Sequence, residues 1–190
     1  MRAQDNQEQK EVGAAGSEST RRHMLLGGVA AAAAVAGAGL GWRRSKEGEG
    51  AQDAASQAFW NLNLQTPDGQ PLALQSLAGK PLLVNFWATW CPPCVRELPM
   101  LSAFAQAHPQ WQVLGIAIDQ APAVQKFLAR QPVHFPVAMA GAGGTTLTRT
   151  LGNDNGGLPF TVLFGAGGNV NQRKIGELSA DDLQQWLLSL

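Results

Sequence analysis

Only two cysteines occur in the 190 residues, Cys91 and Cys94, inside Trp90-Cys91-Pro92-Pro93-Cys94. A pair three residues apart excludes a disulfide-rich scaffold and a self-contained four-Cys zinc site. It suits a reversible dithiol. The pair follows the apolar run Leu82-Leu83-Val84-Asn85-Phe86-Trp87 and opens a helical pattern, which predicts that Cys91 falls just before the first helical residue. Free backbone N–H groups and the helix dipole there favour a negative sulfur. Lowering a thiol pKa from about 8.5 to about 7 needs roughly 2 kcal/mol of differential stabilisation and makes about half of it thiolate at neutral pH. Cys94 then lies one turn along, close enough to form a disulfide with Cys91 yet covered by the helix. Pro92 and Pro93 are tolerated in a first turn, where N–H groups lack intrahelical partners anyway.

The elements that position the pair follow from periodicity. Phe59 to Leu64 and Pro71 to Leu74 flank Thr66-Pro67-Asp68-Gly69, so a small hairpin is expected to open the domain. Leu82 to Trp87 reads as a central strand covered on both faces. Pro92 to Ala107 reads as a helix with Cys94, Leu98, Leu101 and Ala105 on one stripe, and Pro99 is expected to kink it. Further strands are expected over Trp111 to Ile118, Phe135 to Met139, Leu158 to Phe164 and Val170 to Ile175. Helices are expected over Pro122 to Ala129 and Gly144 to Leu151, and a capped terminal helix after Ser179 with Asp182 three residues on. The cluster Gly165-Ala166-Gly167-Gly168-Asn169 is a hairpin turn and not a phosphate loop, because no helix follows it. The alternation implies an α/β fold, a mixed sheet flanked by helices on both faces.

The first 58 residues have a different character. Residues 1–23 form a polar and basic tail expected to be disordered. Met24 to Trp42 is 19 residues without a charge, flanked by Arg21-Arg22-His23 and Arg43-Arg44-Ser45-Lys46, long enough to cross a bilayer as a helix. Its Ala and Gly content gives weak insertion, which suits a signal sequence. Thr20 to Leu25 resembles the twin-arginine export motif. Ala36-Gly37-Ala38 could serve as a cleavage site, while the basic residues that follow suit an uncleaved anchor. Similar Lys and Arg counts at the two ends leave orientation open. Residues 43–58 are expected to be a flexible linker, leaving 59–190 as the folded domain. The chain carries 14 Lys+Arg against 14 Asp+Glu. With no basic field, nucleic acid is not an expected partner.

The segments Val84-Asn85-Phe86-Trp87-Ala88-Thr89-Trp90-Cys91-Pro92-Pro93-Cys94, Glu97-Leu98-Pro99 and Gly157-Leu158-Pro159-Phe160-Thr161 occur in that order. Together they resemble the thioredoxin superfamily, in particular the TlpA/ResA-like membrane-tethered thiol–disulfide oxidoreductases that include cytochrome c maturation thioredoxins. The resemblance covers roughly residues 59 to 190 and implies a thioredoxin-like fold. It implies that Cys91 attacks, Cys94 resolves the mixed disulfide, and Pro159 is a cis-proline facing the site. Trp90, Pro92, Pro93, Leu158 and Pro159 are then the substrate-binding surface. Where thioredoxin carries a buried Asp in the strand before the motif, this chain has Asn85, so Glu97 becomes the candidate proton carrier for Cys94. Its alternative is a solvated helix Glu pairing with Arg96 or with a helix-terminus dipole.

The resemblance implies a protein-disulfide reductase acting on substrates such as apocytochrome c, re-reduced by a transmembrane thiol-electron carrier. The expected location is the inner membrane, single-pass, with the C-terminal domain in the periplasm, or the periplasm itself if the signal is cleaved. No cofactor and no metal are expected. The alternative is a redox-inert or copper-binding module of the same fold, in which two thiolates hold Cu(I). His108 and His134 are remote in sequence from the pair, Trp87 is expected in the core, and Asp119 is expected to cap a helix. A peroxidase relative would need Thr three residues before its reactive Cys. Ala88 holds that place, and Thr89 is out of register by one.

Overall fold

A computed structural model describes residues 54–189. The tail at 1–23, the apolar segment at 24–42 and the first part of the expected linker lie outside the described residues. Among those described, no helix is long and apolar enough to cross a membrane.

Helix α1 covers residues 54–60, where a linker and the first arm of a hairpin were expected. Two aromatic side chains explain the difference. Phe59 is fully buried and stacks on Phe164 with ring centroids 4.6 Å apart, and Trp60 Nε1 donates to the Gly168 carbonyl at 2.8 Å. These contacts span more than 100 residues of sequence, so local composition carries no sign of them. The hairpin is correspondingly shorter, with β1 (Asn63–Gln65) antiparallel to β2 (Pro71–Ala73).

The remaining elements are β3 (Leu82–Trp87), α2 (Pro92–Ala107), β4 (Gln112–Ala117), α3 (Ala121–Arg130) and β5 (Val137–Met139), then α4 (Gly144–Thr150), β6 (Phe160–Phe164), β7 (Val170–Ile175) and α5 (Ala180–Leu188). They build one sheet in the order β2-β1-β5-β4-β3-β6-β7. Strands β3, β4 and β5 are parallel, and β6 is antiparallel to β3. The fold is thioredoxin-like, a mixed sheet flanked by helices.

Every residue of β3 is buried, Asn85 included, as a nearly continuous apolar run with one polar member predicts for a central strand. Its alternate residues feed two cores. Leu82, Val84 and Phe86 join Phe59, Leu114, Ile116, Phe160, Val162 and Phe164 on one face. Leu83 and Trp87 join Cys94, Leu98, Leu101, Phe127 and Trp186 on the other. Asn85 sits between Leu83 and Trp87 in the strand's two-residue repeat, so the α2 face receives one polar side chain from its middle.

Helix α2 runs on through Pro99. A proline at that position cannot donate to the carbonyl four residues back, that of Val95. The Gln131 side-chain amide approaches this carbonyl at 3.5 Å. At α5, Ser179 and Asp182 form the expected reciprocal capping box.

Candidate active site

Parallel β3 and β4 end on the same edge of the sheet, and both connections there shape the site. Beyond Trp87 the chain turns through Ala88, Thr89 and Trp90, closed by the Cys91 N–H donating to the Ala88 carbonyl at 3.2 Å. Cys91 has extended backbone and is the N-cap of α2, with Pro92 and Pro93 in the first turn. Its Sγ accepts the Cys94 N–H at 3.4 Å, the contact that would stabilise a thiolate on this sulfur. Cys91 and Cys94 form a disulfide. Cys91 retains 5% exposure and Cys94 none, so a substrate sulfur can reach only Cys91.

Trp90 is 65% exposed beside the pair, in contrast to Trp87, which is wholly buried and packs on Phe127 with ring centroids 5.3 Å apart. Pro92 is exposed and Pro93 half-buried. The Leu158–Pro159 peptide bond is cis. Phe160 pairs with Phe86, so Leu158 and Pro159 enter β6 at the edge of the sheet where β3 gives way to the cysteine loop. The Pro159 carbonyl accepts the Gly176 N–H at 2.8 Å. Gly176 has φ +98, a left-handed conformation that favours glycine, and there the chain leaves β7 for α5.

Glu97 is 2% exposed and does not pair with Arg96. Its Oε1 accepts Asn85 Nδ2 at 2.7 Å and its Oε2 accepts the Leu178 N–H at 2.7 Å. Burial pushes its pKa up to about 7. The bonds from Leu178 and Asn85 oppose that rise, as does Lys174, while Glu177 adds to it. Arg96 instead makes an exposed ion pair with Glu177 at 2.6 Å. Asn85 Nδ2 also donates to Thr161 Oγ1 at 3.0 Å, across the register pair Asn85–Thr161 of β3 and β6. Three buried side chains, Asn85, Glu97 and Thr161, thus form one polar strip within the α2 core.

Asp119 does not cap α3, whose N-cap is Gln120 without a side-chain bond. It clamps the cysteine loop. Asp119 Oδ2 accepts the Thr89 N–H at 2.9 Å and the Thr89 hydroxyl at 2.6 Å, and Oδ1 accepts the Gln120 N–H at 2.7 Å. Partial burial pushes this carboxyl up, but the three bonds outweigh it and hold its pKa below the ordinary value. This clamp and the Leu178 N–H are site features that sequence reasoning missed. The only signal for Asp119 was its place at the end of a strand parallel to β3. His108 lies against Phe104, and the His134 N–H donates to Ser102 Oγ at 2.7 Å. Among the described residues there is no group of three or more His, Cys, Asp or Glu side chains that could hold a metal ion.

Comparison with known proteins agrees with this geometry. The Redoxin family model matches residues 46–186, and the chain belongs to that family. It is 32% identical over 123 residues to the thiol-disulfide oxidoreductase ResA of Bacillus cereus, an alignment covering 63% of this chain and 69% of that protein. Among solved structures it resembles dsbF from MTB, determined in mixed oxidized and reduced forms, with TM-score 0.61 and 31% identity over 71% of this chain and 96% of that one. A thioredoxin-related protein from Neisseria meningitidis serogroup B gives TM-score 0.60 and 34% identity, covering 66% and 97%.

Proposed function

We propose that this member of the Redoxin family is a thiol–disulfide oxidoreductase that reduces protein disulfides outside the cytoplasmic membrane. The observation that carries the reading is the asymmetry of the pair: Cys91 Sγ sits at a helix N-cap accepting an N–H, next to exposed Trp90, while Cys94 is sealed behind it.

In the dithiol form the Cys91 thiolate attacks one sulfur of a substrate disulfide. The substrate S–S bond breaks, its other sulfur leaves as a thiolate that takes up a proton, and a Cys91–substrate mixed disulfide forms. Cys94 then gives up its proton and attacks Cys91 Sγ. The Cys91–Cys94 bond forms, and the second substrate thiol leaves. Two electrons pass to the substrate. Glu97, one helical turn from Cys94 and held near neutrality, receives the Cys94 proton and returns it to solvent or to the leaving sulfur.

Exposed Trp90 and Pro92, with half-buried Pro93 and Leu158, form the surface on which the substrate polypeptide lies, while Pro159 is itself buried at its edge. The reducing direction is supported by the Pro-Pro insert, which places no His or Lys between the cysteines to over-stabilise the thiolate. The apolar segment at 24–42 with its basic flanks supports anchorage, or export, at the membrane. Reduction there requires a transmembrane thiol-electron donor. The motif resemblance to the TlpA/ResA-like oxidoreductases supports apocytochrome c cysteines as a substrate class.

Trapping tests the reading. Cys94→Ala is expected to accumulate a covalent complex with substrate on Cys91 that a reductant releases, and Cys91→Ser to give none. A faster-alkylating Cys94 in the reduced protein would overturn these roles, and tight Cu(I) retention with slow exchange would overturn the enzymatic reading.

A further inference from the structure

The polar strip contains an imbalance. Asn85 Nδ2 spends both its hydrogens, on Glu97 Oε1 and on Thr161 Oγ1, while its Oδ1 is fully buried and has no hydrogen-bond partner among the described residues. A buried amide with one end doubly used and the other unused is costly to leave so. The arrangement also fits only one protonation state of its neighbour. An ionised Glu97 accepts at both oxygens, whereas a protonated Glu97 carries an O–H that must donate. Leu178 N–H occupies Oε2, so that hydrogen falls on Oε1, where it would meet the N–H that Nδ2 directs at this oxygen head-on.

We propose that Asn85 is a positioning residue that turns its side-chain amide by half a rotation each time Glu97 gains or loses a proton, with Thr161 as the second pivot. In the turned state Oδ1 lies where Nδ2 lay. It accepts the Glu97 Oε1–H on one lone pair and the Thr161 hydroxyl on the other. Thr161 is suited to this because its hydroxyl accepts in one state and donates in the other. A fixed donor or acceptor at either position would serve only one state. The number of hydrogen bonds is equal in both, and one end of the amide goes unpaired in each, so the turn needs no movement of β3, β6 or α2. The proton that Glu97 takes is the one released by Cys94, and it leaves when the amide turns back.

This inference rests on the role given to Glu97 above, but its test does not depend on turnover. In the oxidised full-length protein the thiols do not titrate. The charged groups acting on Glu97 from the surrounding elements are then Lys174 of β7, itself paired with Asp182, and Glu177 of the following loop, itself paired with Arg96. The side-chain amide of Asn85 is followed by nitrogen–proton NMR from pH 5 to 9.

On raising the pH, both Asn85 Nδ2 protons are expected to move from unbonded to hydrogen-bonded positions with one inflection near the Glu97 pKa of about 7, gaining contacts to Thr161. Glu97→Gln presents an oxygen to Leu178 N–H and an NH2 to residue 85, as protonated Glu97 would. It should hold Asn85 in the low-pH pattern at every pH. An Asn85 amide that keeps its Thr161 contacts throughout, or that shows the high-pH pattern in Glu97→Gln, would overturn the proposal. Disulfide exchange of the same wild-type sample is assayed alongside. Absent exchange with a turning amide would sink the oxidoreductase reading and leave the switch standing, while exchange with a static amide would do the reverse.

Discussion

The two faces of strand β3 differ by one residue type and by what that residue permits. Leu82, Val84 and Phe86 enter a core built of apolar side chains and rich in stacked rings, Phe86 on Phe160 at 5.7 Å and Phe59 on Phe164 at 4.6 Å. Leu83, Asn85 and Trp87 enter the other, where a carboxyl, an amide and a hydroxyl lie buried beside a disulfide. The first face holds the sheet together. The second gives up part of its packing energy to keep a titratable group near neutrality, one turn from Cys94.

The comparison breaks most sharply on the apolar face. Phe86→Ala removes a fully buried ring and leaves a cavity, which typically costs about 3–5 kcal/mol. The global unfolding free energy from denaturant titration should fall by that amount, while exchange per folded molecule below the transition stays near wild type. A proportionate loss of exchange would show that the two faces are coupled.

The polar face gives a smaller effect with a pH signature. Glu97 titrates at about 7 when folded against an ordinary 4.5. The folded state therefore binds the proton more tightly than the unfolded one, and stability falls as pH rises from about 4.5 to about 7, after which it is level. The shift corresponds to roughly 3 kcal/mol across that window. Glu97→Gln should flatten this slope and be the more stable protein at pH 8, less whatever its altered hydrogen bond costs. Exchange should fall about ten- to a hundred-fold, the usual scale for losing an acid–base group. Thermal unfolding at pH 5 and pH 8 together with stopped-flow exchange measures both. A retained slope would mean that Glu97 is not the group being titrated.

These contrasts were unequally legible in the sequence. The continuous run of β3, the placement of the cysteines at a helix start and the Ser179–Asp182 cap are local patterns, and each appears where expected. Asn85 and Glu97 stood out as a pair only through family resemblance. Their bond links residues 12 apart, and the Leu178 bond links residues 81 apart, so no spacing rule reaches them. Helix α1 was invisible for the same reason. Its small residues read as a linker until Phe59 and Trp60 meet the β6–β7 hairpin. The position of Asp119 at a strand end suggests a cap, whereas its partner lies 30 residues back in a neighbouring connection.

That last pairing yields the smallest expected effect. Asp119 touches neither sulfur nor the polar strip; it holds Thr89, two residues before Cys91, by one backbone and one hydroxyl bond. Its carboxyl pKa lies below the ordinary value, so the clamp's contribution is present above that value and is lost only as pH falls through the folded pKa. It is therefore fully formed at any pH where exchange is measured. Asp119→Asn keeps the shape and one acceptor oxygen but turns an NH2 toward a donor on one side, so the loop loses part of one attachment. The Cys91 N-cap geometry, fixed separately by the Ala88 and Cys94 bonds, should survive. Exchange should slow by only about threefold, equivalent to roughly 0.7 kcal/mol on the scale of 1.4 kcal/mol per tenfold. The thiol pKa from alkylation against pH should move little. A hundredfold loss would make Asp119 part of the chemistry on a par with Glu97, whereas no change would reduce the clamp to a surface contact of the β4–α3 connection.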